Sequence, residues 1–275
     1  MADGGTAADN EDLPTAAAYY ARGTHGWRAW WTLLHPPYTL MHLSFVVFGA
    51  ALVPVLDLYL LVLTLAAFFL AMGLAAHALD ELKGRPLKTT IPTNALVALA
   101  LVGLTGAAAL GLWAAHISDV AILWLVPVGV FLVVAYNLEL FGGRLHNAHV
   151  FALAWGAFPV LVAGYAQSAS FGLPLVLGAL FAYLLSRAQR SLSDSVRHLR
   201  RQASHVEGTI RHNDGTTERF GMARLIEAPE AALRLLVWAT VVLAASVLAY
   251  HLVAGTWVWD AGPVGRPLRF PQSSL

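Results

Sequence analysis

The sequence predicts an all-α protein, a polytopic bundle of about seven membrane-spanning helices with a small β-hairpin inserted late in the chain. Three observations predict it. Only 12% of the 275 residues are charged and 58% are hydrophobic, with mean hydropathy +0.63, whereas a soluble domain carries about twice that charged fraction. The apolar residues fall in unbroken blocks near the roughly 20 residues that cross a bilayer as a helix. Positive charge gathers on alternate loops. The absence of cysteine excludes disulfides, thiolate catalysis and cysteine-ligated metal. A net charge of +1 gives no argument for nucleic acid.

Residues 1–35 read as a cytoplasmic tail and an interfacial helix. Met1–Pro14 is small and acidic, with Asp3, Asp9, Glu11 and Asp12, and lacks the basic start and apolar core of a signal peptide. Trp27, Trp30 and Trp31 suit the headgroup region, in a short helix expected to end at Pro36-Pro37. The bundle then occupies 36–254, with apolar blocks at Tyr38–Leu56, Leu58–Leu79, Pro92–Ala114, Val120–Tyr136, Val150–Ala166, Leu173–Leu185 and Ala232–Leu252.

With the N-terminus inside, Lys83, Arg85, Lys88, Arg144 and the basic run Arg187 to Arg234 become cytoplasmic together with Arg22 and Arg28. The loops around Asp57, His116–Asp119 and Gln167–Phe171 carry no Lys or Arg, and only Arg266 and Arg269 of the tail 255–275 fall outside. An integral protein of a prokaryotic cytoplasmic membrane is the expected setting, surrounded by membrane lipid. A cytoplasmic insert covers 190–231. There the sixth helix runs on as Ser186–Arg201, a hairpin turns at Asn213-Asp214-Gly215, and Leu225–Leu236 leads into the last span.

Three cytoplasmic segments collect the candidate chemistry. In the first, His77, Asp80 and Glu81 stand at i, i+3 and i+4 on one helical face, followed by Lys83, Arg85 and Lys88. Acids at a helix C-terminus oppose the macrodipole, so a bound cation or those basic neighbours must offset them. His116 and Asp119 repeat the His-x-x-Asp spacing at the other end of the spans, so that spacing alone carries little. The second segment joins the fourth and fifth spans and holds Asn137, Glu139, His146 and His149, residue types that suit several divalent ions. The third is the face formed by Arg187, Arg190, Asp194, Arg197 and Arg201 at spacings of three and four.

Leu33-Leu34-His35-Pro36-Pro37 with Leu43–Ala50, Asp80 with Arg85-Pro86-Leu87, Tyr136-Asn137 and Ala154–Tyr165 occur in that order along the chain. Together they resemble the UbiA superfamily of intramembrane prenyltransferases over roughly Trp30 to Arg201. Asp80 then stands in the first aspartate-rich motif and Asp194 in the place of the second. The resemblance implies a helical bundle with a cytoplasm-facing cavity. It also implies Mg²⁺ on Asp80 and Asp194, an isoprenyl diphosphate touched by Arg85, and alkylation of a lipophilic or aromatic acceptor. Chemistry adds Glu81 to the metal side and as a catalytic residue beside Asp80 and Asp194. Lys83, Lys88, Asn137, Arg187, Arg190 and Arg197 are added to the substrate side. His77 occupies a place where the family has an acid or Asn, and Asp194 is alone among Arg and Ser.

Two other classes stay open. One is a metal-dependent membrane enzyme of different chemistry that holds Zn, Fe or Mn on His77, Asp80, Glu81, Glu139, His146 and His149. The other is a non-catalytic lipid- or partner-binding bundle, in which the acids pair with the basic residues.

Overall fold

The structure, a computed structural model, describes residues 18–260. The acidic segment Met1–Pro14 and the tail arginines Arg266 and Arg269 lie outside the described residues. The chain is mostly helical: α1 Gly26–Leu33, α2 Pro36–Ala50, α3 Leu58–Leu82, α4 Thr93–Ile117, α5 Ile122–Asn137, α6 Ala148–Ser168, α7 Leu173–Gln202 and α8 Met222–Ala254. Four of these, α3, α4, α6 and α8, are long and apolar enough to cross a membrane. The expectation of about seven spans is therefore met in this respect by four. Of the rest, α2 has 15 residues and α5 has 16, while the second half of α7 is polar.

The expected interfacial helix stops at Leu33, and Pro36-Pro37 open α2 rather than closing α1. Proline serves both ends, because its fixed φ and missing N–H suit the first helical turn. His35, at φ 46°, makes the corner between the two helices.

Two of the long helices change their winding midway. α3 is α-helical over Leu58–Phe68, π-helical over Phe69–Ala76 and α-helical again over His77–Leu82. α6 is π-helical over Ala152–Ala157. π-Helical turns concentrate at functional sites, and both of these border the cavity described below.

The helices meet through small residues. A Cβ on Gly49 of α2 would lie 2.4 Å from the Val160 carbonyl oxygen of α6, and one on Gly156 of α6 would lie 2.5 Å from the Ala182 oxygen of α7. These obstacles are backbone atoms and cannot rotate away. Gly49→Ala is expected to force α2 and α6 apart and cost about 1–3 kcal/mol, seen as a lower melting temperature of the purified protein.

Large apolar side chains such as Leu101, Val102, Trp124, Leu177, Leu235 and Val253 point outward, as lipid-facing side chains of a membrane bundle do.

The end of the bundle with few basic residues is closed by hydrogen bonds. Asp57 caps α3 by accepting from Tyr59 N at 2.9 Å. Gln167 spans the Asp57 backbone, accepting from its N–H at 2.8 Å and donating to its carbonyl at 3.0 Å. His251 reaches the Ala51 carbonyl oxygen at 2.9 Å through Nε2, beside the parallel pair β1 Leu56–Asp57 and β4 Trp257–Val258. At the other end β2 Glu207–Arg211 and β3 Thr217–Gly221 form the expected hairpin. Asp214 accepts from the backbone and hydroxyl of Thr216 at 2.9 and 2.7 Å, and those bonds hold its carboxyl below the usual range.

Candidate active site

A cavity of about 400 Å³ opens at the basic end of the bundle, between α2, α3, α5, α6 and α7. The sequence-predicted residues His77, Asp80, Lys83, Asn137, Glu139, His146, Arg190, Asp194 and Arg197 all border it. Residues from three distant segments are thus brought to one place.

Others in the predicted set lie elsewhere. Glu81 is fully buried: Oε2 accepts from Leu87 N at 3.0 Å, and Oε1 from Thr89 N at 2.8 Å and Thr89 Oγ1 at 2.7 Å. Both carboxylate oxygens are committed to folding the 83–92 loop, and Glu81 does not border the cavity. Arg85, expected on the diphosphate, donates instead to the Ile91 carbonyl at 2.6 Å and to Thr93 Oγ1 at 2.8 Å, tying the loop to the start of α4. Lys88 is exposed and does not border the cavity. Arg187 and His149 face each other on the outside, with the Tyr183 hydroxyl 2.7 Å from His149 Nδ1. The arginine face therefore splits, with Arg187 outward and Arg190, Arg197 and Arg201 toward the cavity.

The cavity walls are ordered by aromatic and ionic contacts. Tyr136 lies against His146, ring centroids 4.4 Å apart, and against Trp155 at 4.6 Å. Its hydroxyl accepts from Arg190 Nη1 at 3.0 Å. His146 Nδ1 donates to the Tyr136 carbonyl at 3.0 Å, and Asn137 Nδ2 to the Val133 carbonyl at 2.7 Å. Asp194 receives Arg190 Nε at 3.0 Å on one oxygen and Arg197 on the other. At the mouth Lys83 Nζ lies 3.9 Å from Glu139. The Asp80 carboxylate makes no hydrogen bond or ion pair among the described residues, unlike those of Glu81, Glu139 and Asp194.

Several wall residues were not anticipated. His35 stacks on His77 at 4.4 Å, and His77 Nδ1 donates to the Gly73 carbonyl at 3.1 Å. Burial first, then the neighbouring His77, holds the His35 imidazole well below its usual pKa. His42 Nδ1 and Gln189 Oε1 are buried at the cavity wall without hydrogen-bond partners. Tyr20 and Tyr38 complete this side, next to the anticipated Arg201. His42 and Gln189 carried a usable signal, since polar side chains within apolar helices are costly and mark pathways or sites.

Trp155, in the π-helical part of α6, borders a second space as well. This is an apolar groove of about 100 Å³ lined by Phe68, Met72, Leu104, Val133 and Phe158 among others. A polar chamber and an apolar groove thus share one lining side chain.

The donor set lacks the cluster that a resident zinc or iron needs. No three His, Asp or Glu side chains converge into a metal site among the described residues, whereas zinc or iron sites need three or four. The set His77, Asp80, Glu81, Glu139, His146 and His149 is not brought together, because Glu81 turns into the loop and His149 faces outward. Magnesium held through phosphates manages with one or two carboxylates. Here Asp194 is shared by two guanidinium groups and Glu139 faces Lys83, leaving Asp80 alone.

No protein-family model matches the chain, and no curated protein or solved structure matches it either.

Proposed function

We propose that this protein is a seven-span, UbiA-like intramembrane prenyltransferase that binds an isoprenyl diphosphate and passes the isoprenyl group to a lipophilic or aromatic acceptor. The observation that carries this reading is that the polar, arginine-bearing cavity and the apolar groove lie on either side of one shared residue, Trp155. The order of the resemblance motifs along the chain and the basic end of the bundle, taken as cytoplasmic, agree with it. On this reading the diphosphate lies against Arg190, Arg197 and Arg201, and the isoprenyl chain follows the groove past Trp155.

The chemistry follows from those positions. The bond between the allylic carbon and the diphosphate oxygen breaks, and the electron pair leaves with the diphosphate. Fixed guanidinium groups stabilise the charge that develops there. The allylic cation faces aromatic side chains, which attract a cation through their ring faces, and the surrounding apolar wall excludes water. The acceptor's carbon forms the new bond and gives up a proton to Asp80, the cavity carboxylate without an ion pair.

Equilibrium binding of radiolabelled farnesyl diphosphate to the purified full-length protein tests the reading. Saturable binding is expected, weakened about tenfold by Arg190→Gln or Arg197→Gln, since a lost charge-assisted hydrogen bond is worth at least that factor. Absence of saturable binding rejects the proposal. The pairing of Asp194 and Glu139 with basic side chains favours a second reading, a protein that holds such an amphiphile without turning it over. Release of diphosphate in the presence of an acceptor separates the two.

A further inference from the structure

We infer that the cavity grips the diphosphate with guanidinium groups in place of a divalent cation, and that Asp194 is the positioning residue that holds them. This rests on the prenyl-diphosphate reading and adds its ion requirement. The sign of the cavity is the first argument. Lys83, Arg190, Arg197 and Arg201 border it against Asp80, Glu139 and Asp194, so one positive side chain is in excess. That excess suits a polyanion, whereas a dication held by protein side chains alone needs the opposite balance.

The second argument is the geometry of α7. Asp194 lies four residues after Arg190 and three before Arg197, and its two oxygens engage one guanidinium each. A carboxylate so used has one guanidinium on each of its oxygens, which competes with a metal for both of them. What it does instead is fix the two arginines. Arg190 Nε is on Asp194 and Nη1 on the Tyr136 hydroxyl, while its guanidinium rests 5.4 Å from the Phe151 ring centre. A guanidinium has five N–H donors, so the remaining ones of Arg190 are held in one orientation beside the cavity. Arg201, one turn beyond Arg197, extends the same row. Planar forks held in this way suit phosphate oxygens, which they bind in pairs.

The third argument concerns the matching neutral groups. His42 and Gln189 present buried polar atoms without partners at the cavity wall. Such atoms are rare in folded proteins and mark places completed by a polar ligand or water.

The test is binding of farnesyl diphosphate to the full-length protein in detergent, measured in EDTA and then across a magnesium chloride titration. The dissociation constant is expected to stay within about twofold between the two conditions. Asp80→Asn should bind as tightly as the unaltered protein or more tightly, because an anion has been removed. Asp194→Ala should bind about tenfold more weakly in EDTA, with its melting temperature recorded alongside. That direction distinguishes positioning from simple charge, since deleting an acid beside a phosphate otherwise strengthens binding. Tighter binding by Asp194→Ala overturns the positioning role. Binding that rises tenfold or more only with magnesium overturns the inference and leaves the prenyl-diphosphate reading standing. No binding in either buffer removes that reading and the inference together.

Discussion

Glu81→Ala is expected to lower the stability of the protein by about 4 kcal/mol. Its carboxylate accepts three hydrogen bonds, from Leu87 N, Thr89 N and Thr89 Oγ1, in a fully buried position. Each hydrogen bond to a charged group contributes about 1.5–3 kcal/mol, and each buried donor left unmet costs about 1–3 kcal/mol. Water entering the new space offsets part of the total. The loop it folds also receives Arg85 from within and is pinned to the N-terminal segment by Thr90 N on the Thr24 carbonyl at 2.8 Å. Loss of Glu81 therefore loosens the cavity rim as well as α3. A melting curve of the purified variant checks this. A variant that melts as the unaltered protein does but loses prenyl-diphosphate binding would return Glu81 to the site.

A second large effect is expected at the pair Arg200–Glu230. Arg200 Nε lies 2.7 Å from Glu230 Oε1, and the two side chains are only 6% and 9% exposed. Burial of both ions makes the pair costly to separate, because removing one partner takes away a short charge-assisted bond from a desolvated ion. Glu230→Ala is expected to cost about 3–5 kcal/mol, measured in the same melt. The double variant Arg200→Met/Glu230→Leu should recover most of that loss, since a well-packed apolar pair removes both desolvation penalties. Failure of the double variant to recover would mean that the pair does more than compensate its own burial. The pair joins the end of α7 to the start of α8, on either side of the hairpin. Its loss should therefore also raise hydrogen exchange over Glu207–Gly221.

Much of the helical framework was legible because its cause is local. Each apolar block predicted from composition overlaps a helix, although Tyr38–Leu56 runs on past the end of α2 into β1, and the Asn213-Asp214-Gly215 turn sits where the hairpin reverses. Membrane crossing is a question of length as well as apolarity, which is why four helices qualify and α2 and α5 are short. The cavity was legible in outline, since charge is scarce and the polar segments share one end of the bundle. The predicted residues that lie away from the cavity do so for physical reasons. His77, Asp80 and Glu81 were placed on one face by spacing, but successive helical residues diverge by about 100°. The following loop packs on the Glu81 side and takes that carboxylate for itself. Arg85 was assigned by motif, while its positive φ of 56° turns it back toward the start of α4. His35, His42 and Gln189 are single polar residues in apolar surroundings, and only folding shows that they converge.

The π-helical stretch Phe69–Ala76 sets the azimuth of everything that follows it on α3. Its residues look like those of any apolar helix, yet each π-helical turn takes up more residues than an α-turn does. It presents the Leu70 carbonyl within 2.6 Å of where a Cβ on Gly103 would stand. Deleting one residue there and restoring ordinary α-winding would rotate His77–Leu82 by about 100° about the helix axis. Asp80 would leave the cavity and Glu81 would exchange its loop for a different neighbour. The bundle thus carries a built-in phase setting, and a single-residue change in length, with no change of residue type at the site, would decide which of two adjacent acids faces the ligand.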